Sequence, residues 1–371
     1  MQKITVMLFK EDRIMIPFHP YSRKALSSFP RMGGMSGWGL GLLLFLSSCS
    51  GLFMDEQKPN TAKNNFDLLW KIVDERYCYF EEKKVDWQQT YDDRWRELAN
   101  FVDELDAASP HLFDMMASML EELRDGHVCL SDGFITRSFS GWHVHYPENF
   151  NSSRIVPYRN SDPRTRNLDN DMTVSILPDS IAYIRCPSFS DKFNRIDLDR
   201  AMARLEGNKG VIIDVRGNGG GLISEAYLLA SRFACEKKHV GYVRYKNGKG
   251  HNDFSDYYAR YVEPDGTNPF HGKVVVITNR KVYSAANLFV SIMSNLPQVC
   301  IMGDKTGGGG GVAITAELYN GWTVKLSTNP VFDINKRSIE SGIEPDYPIA
   351  LNKDTQSDNI IEAAKEWILA K

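Results

Sequence analysis

The stretch Lys273-Val-Val-Val-Ile-Thr278-Asn-Arg-Lys281-Val-Tyr-Ser284-Ala-Ala-Asn287 passes from a strand pattern to a helical one. Its four consecutive β-branched apolar residues predict a buried strand, whereas residues 285–296 have the apolar spacing of a helix. Ser284 lies at the junction, where the unpaired N–H groups and the positive end of the helix dipole can stabilise a developing oxyanion. A serine in such a position is more often an N-cap residue, so other parts of the chain must decide between the two interpretations.

A repeated alternation of strand and helix patterns surrounds this junction. Two short apolar runs on either side of Pro178-Asp-Ser180 predict a β-hairpin, and Gly210-Val-Ile-Ile-Asp214 predicts a second buried strand. This alternation favours an α/β fold with a largely parallel sheet, and we assign residues 173–371 to one α/β domain. Its other predicted elements are helices at 195–205, 222–234 and 359–369 and strands at 299–302 and 322–327.

The part of the chain before this domain is predicted to be helical and then irregular. Residues 66–130 carry many aromatic residues at helical spacing, a pattern typical of core packing. Ser109-Pro110 provides an N-cap and an N1 proline for an amphipathic helix, and Gly126 is the expected C′ residue at its end. Residues 131–172 are rich in Ser, Asn, Asp and Arg, which predicts a connecting segment with little regular structure.

Four motifs accompany Ser284 in a specific order along the chain. One of them, Asp214-Val-Arg-Gly-Asn-Gly-Gly-Gly221, directly follows a buried strand, and glycine there lets backbone amides approach a ligand. The other three are Leu123-Arg-Asp-Gly-His-Val128, Met302-Gly-Asp-Lys-Thr-Gly-Gly-Gly-Gly-Gly-Val312 and Arg337-Ser-Ile-Glu-Ser-Gly-Ile-Glu-Pro-Asp346. Together they resemble the S41 peptidases, the family of tail-specific processing proteases and tricorn-like proteases. The resemblance covers most of the chain from Phe66 onward and is strongest to the tricorn-like branch found in Bacteroidetes lipoproteins.

This resemblance implies a fold, a chemistry and a substrate class. The fold is the ClpP/crotonase-like spiral of ββα units, preceded by an N-terminal helical region. The chemistry is hydrolysis of peptide bonds in a peptide or unfolded protein through an acyl-enzyme, without a cofactor. The tail-specific branch also carries a PDZ domain, but too few residues separate His127 from the strand at Thr173 for one, so we expect none.

Two residues are candidates for the general base that a serine nucleophile requires. The resemblance to the tricorn-like branch points to His127 in Asp125-Gly-His127, whereas the resemblance to the tail-specific branch points to Lys305 in Gly303-Asp-Lys-Thr306. Histidine needs little perturbation to act as a base near neutral pH, whereas lysine must be desolvated or placed beside another cation. We therefore expect Ser284–His127, with Ser284–Lys305 as the alternative.

The resemblance also assigns the groups that assist the nucleophile and its base. A glutamate near the C-terminus completes the relay in the tricorn-like branch, and Glu340 is the nearest match, with Glu344 as the substitute. The oxyanion hole maps to the backbone amides of Gly220 and Ala285.

Glycines are the expected substrate-binding residues. Gly219 and Gly221 flank the expected oxyanion donor, and Gly307 and Gly308 begin a run of five glycines that suits a mobile strand edge for an extended peptide. The run follows the Lys-Thr pair, whereas the glycines of a phosphate-binding loop precede it, so nucleotide binding is excluded.

The N-terminal segment predicts export and lipid attachment. An apolar run from Trp38 is too short to span a membrane and ends in Leu46-Ser-Ser-Cys49, which resembles a lipobox. We expect residues 1–48 to be a signal peptide, with translation starting later than Met1, and residues 49–65 to be a lipid anchor and tether. Cys49 would then carry the lipid that holds the protein on the cell envelope.

Composition excludes some other functions. The formal net charge is −3, and no basic patch indicates a nucleic-acid partner. The remaining cysteines are scattered singly, without the spacing of a metal site. We therefore expect a cell-envelope lipoprotein that acts as a serine peptidase, and the alternative is a non-catalytic ligand- or peptide-binding protein on the same scaffold.

Overall fold

The structure of this chain is a computed structural model that describes residues 58–265 and 269–370. The predicted signal peptide and Cys49 lie outside the described residues. The strands, in chain order, are β1 (Cys129–Ser131), β2 (Thr136–Ser138), β3 (Arg166–Asn167), β4 (Thr173–Ile176), β5 (Ile181–Arg185), β6 (Gly210–Asp214), β7 (Lys238–Val243), β8 (Tyr258–Val262), β9 (Lys273–Thr278), β10 (Val299–Gly303), β11 (Gly311–Glu317), β12 (Thr323–Phe332) and β13 (Tyr347–Pro348).

The helices between these strands differ widely in length. They are α1 (Ala62–Arg76), α2 (Phe80–Lys83), α3 (Trp87–Leu98), α4 (Pro110–Glu121), α5 (Gly141–Val144), α6 (Ser152–Arg159), α7 (Arg195–Ala203), α8 (Ile223–Ser231), α9 (Ala285–Met293) and α10 (Asn359–Leu369). None of the helices in the described ranges is long and apolar enough to cross a membrane.

The valine-rich strand β9 is an interior strand of a seven-stranded sheet, between β10 and β6. The order of the strands is β13-β10-β9-β6-β5-β4-β3, and β5, β6, β9, β10 and β13 run parallel. The hairpin predicted around Pro178 is the antiparallel pair β4–β5. The sequence-based prediction of an α/β fold with a largely parallel core is therefore confirmed.

The two faces of this sheet are buried in two apolar clusters. Val274 and Val276 of β9 face a cluster that includes residues of α8 and α9, whereas Val275 and Ile277 face a cluster that includes residues of α10. Side chains alternate between the faces of a strand, and a strand covered on both faces has a continuous apolar sequence. Burial on both sides thus explains the uninterrupted valine run and fixes the end of β9 before Ser284.

The N-terminal helices pack on a second sheet, whose strand order is β2-β1-β12-β7-β8, with β11 paired to β12. Phe66 of α1 and Met116 of α4 lie in one cluster with Val324 and Leu326 of β12. The helical region therefore shares a core with a strand from the C-terminal part of the chain. The strands β7, β8 and β11 of this sheet were not expected from the sequence.

Three sequence-based boundaries are wrong. The expected tether does not extend to residue 65, because α1 begins at Ala62 and the Thr61 side chain caps it by accepting from the Asn64 amide. The segment 131–172 is not irregular throughout, since β2, β3, α5 and α6 form within it. Gly126 is not the C′ residue of α4, which ends at Glu121.

Candidate active site

Ser284 occupies the junction between β9 and α9 in a backbone conformation that is rare for a residue with a side chain. Its φ is 55° and its ψ is −124°, and positive φ angles are uncommon outside glycine. The Ser284 amide donates to the Gly308 carbonyl over 2.9 Å, which helps to hold this conformation. Ser284 is the N-cap residue of α9 by position, but its side chain makes no capping hydrogen bond, so it does not act as an ordinary N-cap serine. Backbone strain of this kind clusters at functional positions.

His127 is the residue that the structure brings to Ser284. Its Nε2 atom lies 2.8 Å from the Ser284 Oγ atom, within the range of a hydrogen bond between a nucleophile and its base. The imidazole is buried and lies between the end of α4 and the start of β1. It therefore reaches Ser284 from the second sheet, and the pair forms where the two sheets meet.

Burial gives this imidazole the protonation state that a base needs. Burial lowers the pKa of His127, the neighbouring Asp125 carboxylate raises it, and the cations Lys325 and Lys83 lower it. The net direction is downward, because removing a histidine from water disfavours its charged form. The ring is therefore neutral at pH 7 and can accept a proton from Ser284.

Asp125 is a buried carboxylate two residues before His127. Its Oδ1 atom accepts from the His127 backbone amide over 2.8 Å and from the Tyr283 hydroxyl over 3.3 Å. These two bonds fix the turn that carries His127 to the residue that precedes the nucleophile. Asp125 thus orients the pair and supplies a negative charge beside the ring.

Trp142 packs against this arrangement from α5. Its ring stacks on Tyr283 with a centroid separation of 4.1 Å. A Cβ atom on Gly126 would lie 2.5 Å from Trp142 Nε1, and one on Gly307 would lie 2.4 Å from the same indole. Both glycines are therefore needed for the close approach of Trp142, which no sequence motif indicated.

Glu340 does not contact His127, contrary to the expected relay. It is fully buried, its Oε2 atom accepts from the Gly310 amide over 2.8 Å, and its Oε1 atom lies 2.8 Å from Lys83 Nζ. Burial and the nearby Asp125 charge raise the pKa of Glu340 to about 8, against the lowering effect of Lys83. The carboxylate that contacts the His127 backbone is thus Asp125, and Glu340 instead contacts Lys83 and the Gly310 amide.

The alternative base and the substitute carboxylate lie elsewhere and pair with each other. Lys305 Nζ is 2.7 Å from Glu344 Oε1, and the Glu344 side chain is 71% exposed. Among the described contacts, neither residue reaches Ser284 or His127. The geometry therefore does not bring Lys305 to the nucleophile.

The glycine motif 214–221 packs beside the nucleophile, but the Gly220 amide is not the oxyanion donor that we expected. A Cβ atom on Gly220 would lie 2.8 Å from Ser284 Cβ and 2.9 Å from the Ala285 amide nitrogen. The Gly220 amide, however, donates to Asn218 Oδ1 over 2.9 Å, so this N–H is not free for an oxyanion. Ala285 begins α9, where the first N–H groups of a helix have no intrahelical partner. Of the two expected oxyanion donors, the geometry therefore supports only the Ala285 amide.

The four glycines expected to bind substrate differ in exposure. Gly219 and Gly221 are exposed, but only Gly219 is open to a ligand, since a Cβ atom there would meet nothing within 4 Å, whereas Gly221 is bridged to Phe189. Gly308 is buried, and a Cβ atom there would lie 1.9 Å from the Glu340 carbonyl oxygen. The Gly307 amide donates to the Val282 carbonyl. The expectation of a mobile, open edge at Gly307 and Gly308 is wrong, since this loop supports the nucleophile from inside.

Two buried ion pairs fix the start of the same glycine motif. Arg216 Nη2 lies 2.7 Å from Asp214 Oδ2, and its Nη1 lies 2.9 Å from Asp358 Oδ2, with all three side chains fully buried. Asp358 is the N-cap residue of α10. The motif is thereby anchored to the sheet below the exposed glycines. In the described ranges, no group of three or more metal-ligating side chains forms a metal site.

Several known peptidases are similar to this chain. The sequence pattern of peptidase family S41 matches residues 180–349. The carboxy-terminal processing protease CtpA of Bacillus subtilis is 29% identical over 46% of this chain and 36% of its own length. The tail-specific protease of Haemophilus influenzae is 31% identical over 38% of this chain and 19% of its own length. The chain thus spans about a third or less of these two relatives.

A solved structure covers far more of the chain. The crystal structure of a candidate peptidase from Parabacteroides merdae is 39% identical, covers 84% of this chain and 98% of its own, and superposes with a TM-score of 0.75. The similarity therefore includes the N-terminal helices as well as the α/β part.

Proposed function

This chain belongs to peptidase family S41, and from that membership we propose that it is a serine peptidase with Ser284 as the nucleophile and His127 as the general base. The observation that carries the proposal is the 2.8 Å separation of Ser284 Oγ and His127 Nε2 at the N-terminus of α9. A non-catalytic binding protein would not require this pair. The substrate is the peptide bond of a peptide or protein.

The proposed reaction follows from the positions of the groups. His127 Nε2 accepts the Ser284 proton as Oγ attacks the substrate carbonyl carbon, and the Ala285 amide donates to the oxyanion that forms. One such donor stabilises the transition state by about 3 kcal/mol. The protonated imidazole then gives its proton to the leaving amine. Water, deprotonated by the same imidazole, hydrolyses the acyl-enzyme and restores Ser284.

Asp125 supports the charge that develops on the imidazole in this scheme. Its carboxylate raises the pKa of His127 against the effect of burial, so it stabilises the imidazolium when the proton arrives. Glu340 instead accepts a hydrogen bond from the Gly310 amide and so holds the glycine loop. This assignment replaces the Ser-His-Glu relay expected from the sequence with a pair oriented by an aspartate.

A fluorophosphonate probe tests the nucleophile directly. The purified protein is expected to be labelled at Ser284, as located by peptide mass spectrometry, and to cleave peptides from an unfolded protein such as casein. The Ser284→Ala variant controls for labelling elsewhere. Labelling only at another serine, or none with the folded protein, contradicts the proposal.

We also propose that the protein is a lipoprotein of the cell envelope, anchored through Cys49. The support is the sequence Leu46-Ser-Ser-Cys49 after a short apolar run. Mass spectrometry of the protein from its native membrane should find a diacylated or triacylated Cys49 as the first residue. An unmodified N-terminus upstream of Cys49, or a Cys49→Ala variant that stays membrane-bound, contradicts lipid anchoring.

A further inference from the structure

Lys83 connects the turn that carries His127 to the loop that carries Glu340. It is the last residue of α2, in the N-terminal helical region. Its Nζ atom lies 2.8 Å from Glu340 Oε1 and donates to the Arg124 carbonyl over 3.0 Å. The Arg124 guanidinium donates back to the Lys83 carbonyl over 2.6 Å. The Lys83 ammonium group therefore contacts both segments. One of its two contacts is with Arg124, which is three residues before His127.

Arg124 shows that this turn needs support. Its φ is 49°, in the left-handed region that costs a residue with a Cβ atom about 1 kcal/mol or more. The turn is held from one side by the two hydrogen bonds on Asp125 Oδ1. The contacts with Lys83 hold it from the side of α2. Among the described hydrogen bonds, the Arg124 carbonyl accepts only from Lys83.

Lys83 also lies among several ionisable groups, most of which carry a negative charge when they lose a proton. The side chains of Lys83 and Glu340 are 18% and 2% exposed, so solvent screens their charges poorly. Asp125 adds a second buried carboxylate. The other ionisable groups around the pair come from the α1–α2 segment, from β12 and from the residue before the nucleophile: Tyr77, Cys78, Tyr79, Glu82, Lys325 and Tyr283.

We propose that Lys83 is a positioning residue for His127, which holds the turn 124–127 against the Glu340 loop and maintains a positive charge near the imidazole. The proposal rests on the proposed function of the Ser284–His127 pair. It makes the N-terminal helical region part of the catalytic apparatus, since the geometry and charge of the base depend on α2. The charge of Lys83 lowers the pKa of His127, which favours the neutral base.

The test compares three substitutions. Lys83→Met keeps the length of the stem and removes the charge and the donors, Lys83→Arg keeps both, and Lys63→Met removes an exposed helical ion pair with Asp67 as a control. Lys83→Met is expected to lower kcat/KM at pH 7 by about tenfold to a hundredfold, the range for a displaced catalytic group. The acid limb of its pH profile should move to higher pH. Lys83→Arg should recover most of the rate, and Lys63→Met should match the wild type.

A double variant separates this role from stability alone. If Lys83→Met folds poorly because it leaves Glu340 unpaired, Lys83→Met/Glu340→Gln should regain thermal stability, since both partners of the pair are then neutral. The raised acid limb should persist in the double variant. A double variant with a wild-type pH profile, or a Lys83→Met variant indistinguishable from Lys63→Met, overturns the proposal.

An NMR titration keeps this test independent of activity. The His127 ring is followed in the Ser284→Ala background, where the imidazole pKa is expected to rise on Lys83→Met. An unchanged imidazole pKa contradicts the role of Lys83 whether or not the protein hydrolyses peptides. Failure of the wild type to react with a fluorophosphonate, beside a raised pKa, would instead contradict the proposed function alone.

Discussion

The Nε2 atom of His127 lies 2.8 Å from the Oγ atom of Ser284, although the two residues are 157 positions apart. His127 precedes a strand of the second sheet, and Ser284 follows β9, an interior strand of the first. The pair therefore depends on the packing of the two sheets against each other. It also depends on the N-terminal helices, which share their core with β12.

Replacement of Ser284 by alanine should abolish peptide hydrolysis and leave the fold intact. The hydroxyl contributes one hydrogen bond and the side chain is only partly buried, so its loss removes little packing. Turnover of casein peptides and the melting temperature measure the two effects. Wild-type turnover by the alanine variant would show that Ser284 is not the nucleophile.

The two candidate bases can be separated by one pair of substitutions. His127→Ala should lower kcat/KM by at least about a hundredfold, the lower range for general-base catalysis. Lys305→Ala should change it far less, because Lys305 is paired with the exposed Glu344 rather than with the nucleophile. Steady-state kinetics of both variants decide between them. An inactive Lys305→Ala beside an active His127→Ala would reverse the assignment.

The pH dependence of the rate should report the protonation of His127. Only the neutral imidazole can accept the Ser284 proton, so kcat/KM rises as pH increases through the pKa of His127. Burial is the largest influence and lowers that pKa, so the midpoint should fall below the ordinary value of about 6.5. A profile measured from about pH 4.5 to about pH 10 gives the midpoint. A single limb near pH 9 would indicate a lysine instead.

Gly220→Ala should impair activity by displacing the nucleophile. The φ of Gly220 is 100°, and a Cβ atom there would lie 2.7 Å from the Tyr283 carbonyl oxygen and 2.8 Å from Ser284 Cβ. Gly321→Ala is a matched control, because Gly321 also has a positive φ of 86° but a Cβ atom there would meet nothing within 4 Å. Both variants carry the conformational cost, and only Gly220→Ala should lose fluorophosphonate labelling.

The parallel core could be predicted from the sequence because burial on both faces leaves a continuous apolar run. The strands β6 and β9 and the helix α10 have the bounds expected from their patterns. The strands β7 and β8 could not be predicted in this way. They pair with each other with a register shift between His239 and Gly241, and their exposed faces mix charged and aromatic residues. The other partner of β7 is β12, which is remote in sequence.

The site could be predicted only as far as local motifs describe it. The sequence identified Ser284, His127 and the glycine motif, each of which has a local pattern. The prediction that Glu340 contacts His127 was wrong. Its position in the sequence does not indicate which charged side chain the buried carboxyl contacts, and that side chain is Lys83. No motif indicated a role for Lys83, since a single lysine in a short amphipathic segment cannot be distinguished from ordinary surface lysines by sequence alone. Tyr283 could have been noticed from its position next to the nucleophile.

The buried Glu340 should make the stability of the protein depend on pH. Its pKa is about 8 in the folded protein and ordinarily 4.5, so between these values the folded state binds a proton that the unfolded state does not. This contribution to stability is fully present below pH 4.5 and is lost as pH rises through about 8. His127 has the opposite sign, but its contribution is complete above about pH 6.5 and does not change at higher pH. Urea unfolding at pH 7 and pH 9 should therefore show a lower stability at pH 9, and Lys83→Met/Glu340→Gln should reduce that difference. The remainder comes from buried thiols such as Cys186 and Cys300, whose pKa burial also raises. The double variant is the better comparison, because at pH 9 Glu340→Gln alone leaves the Lys83 charge without the carboxylate that faces it in the wild type. An identical loss of stability from pH 7 to pH 9 in both proteins would show that Glu340 is ionised in the native state throughout this range.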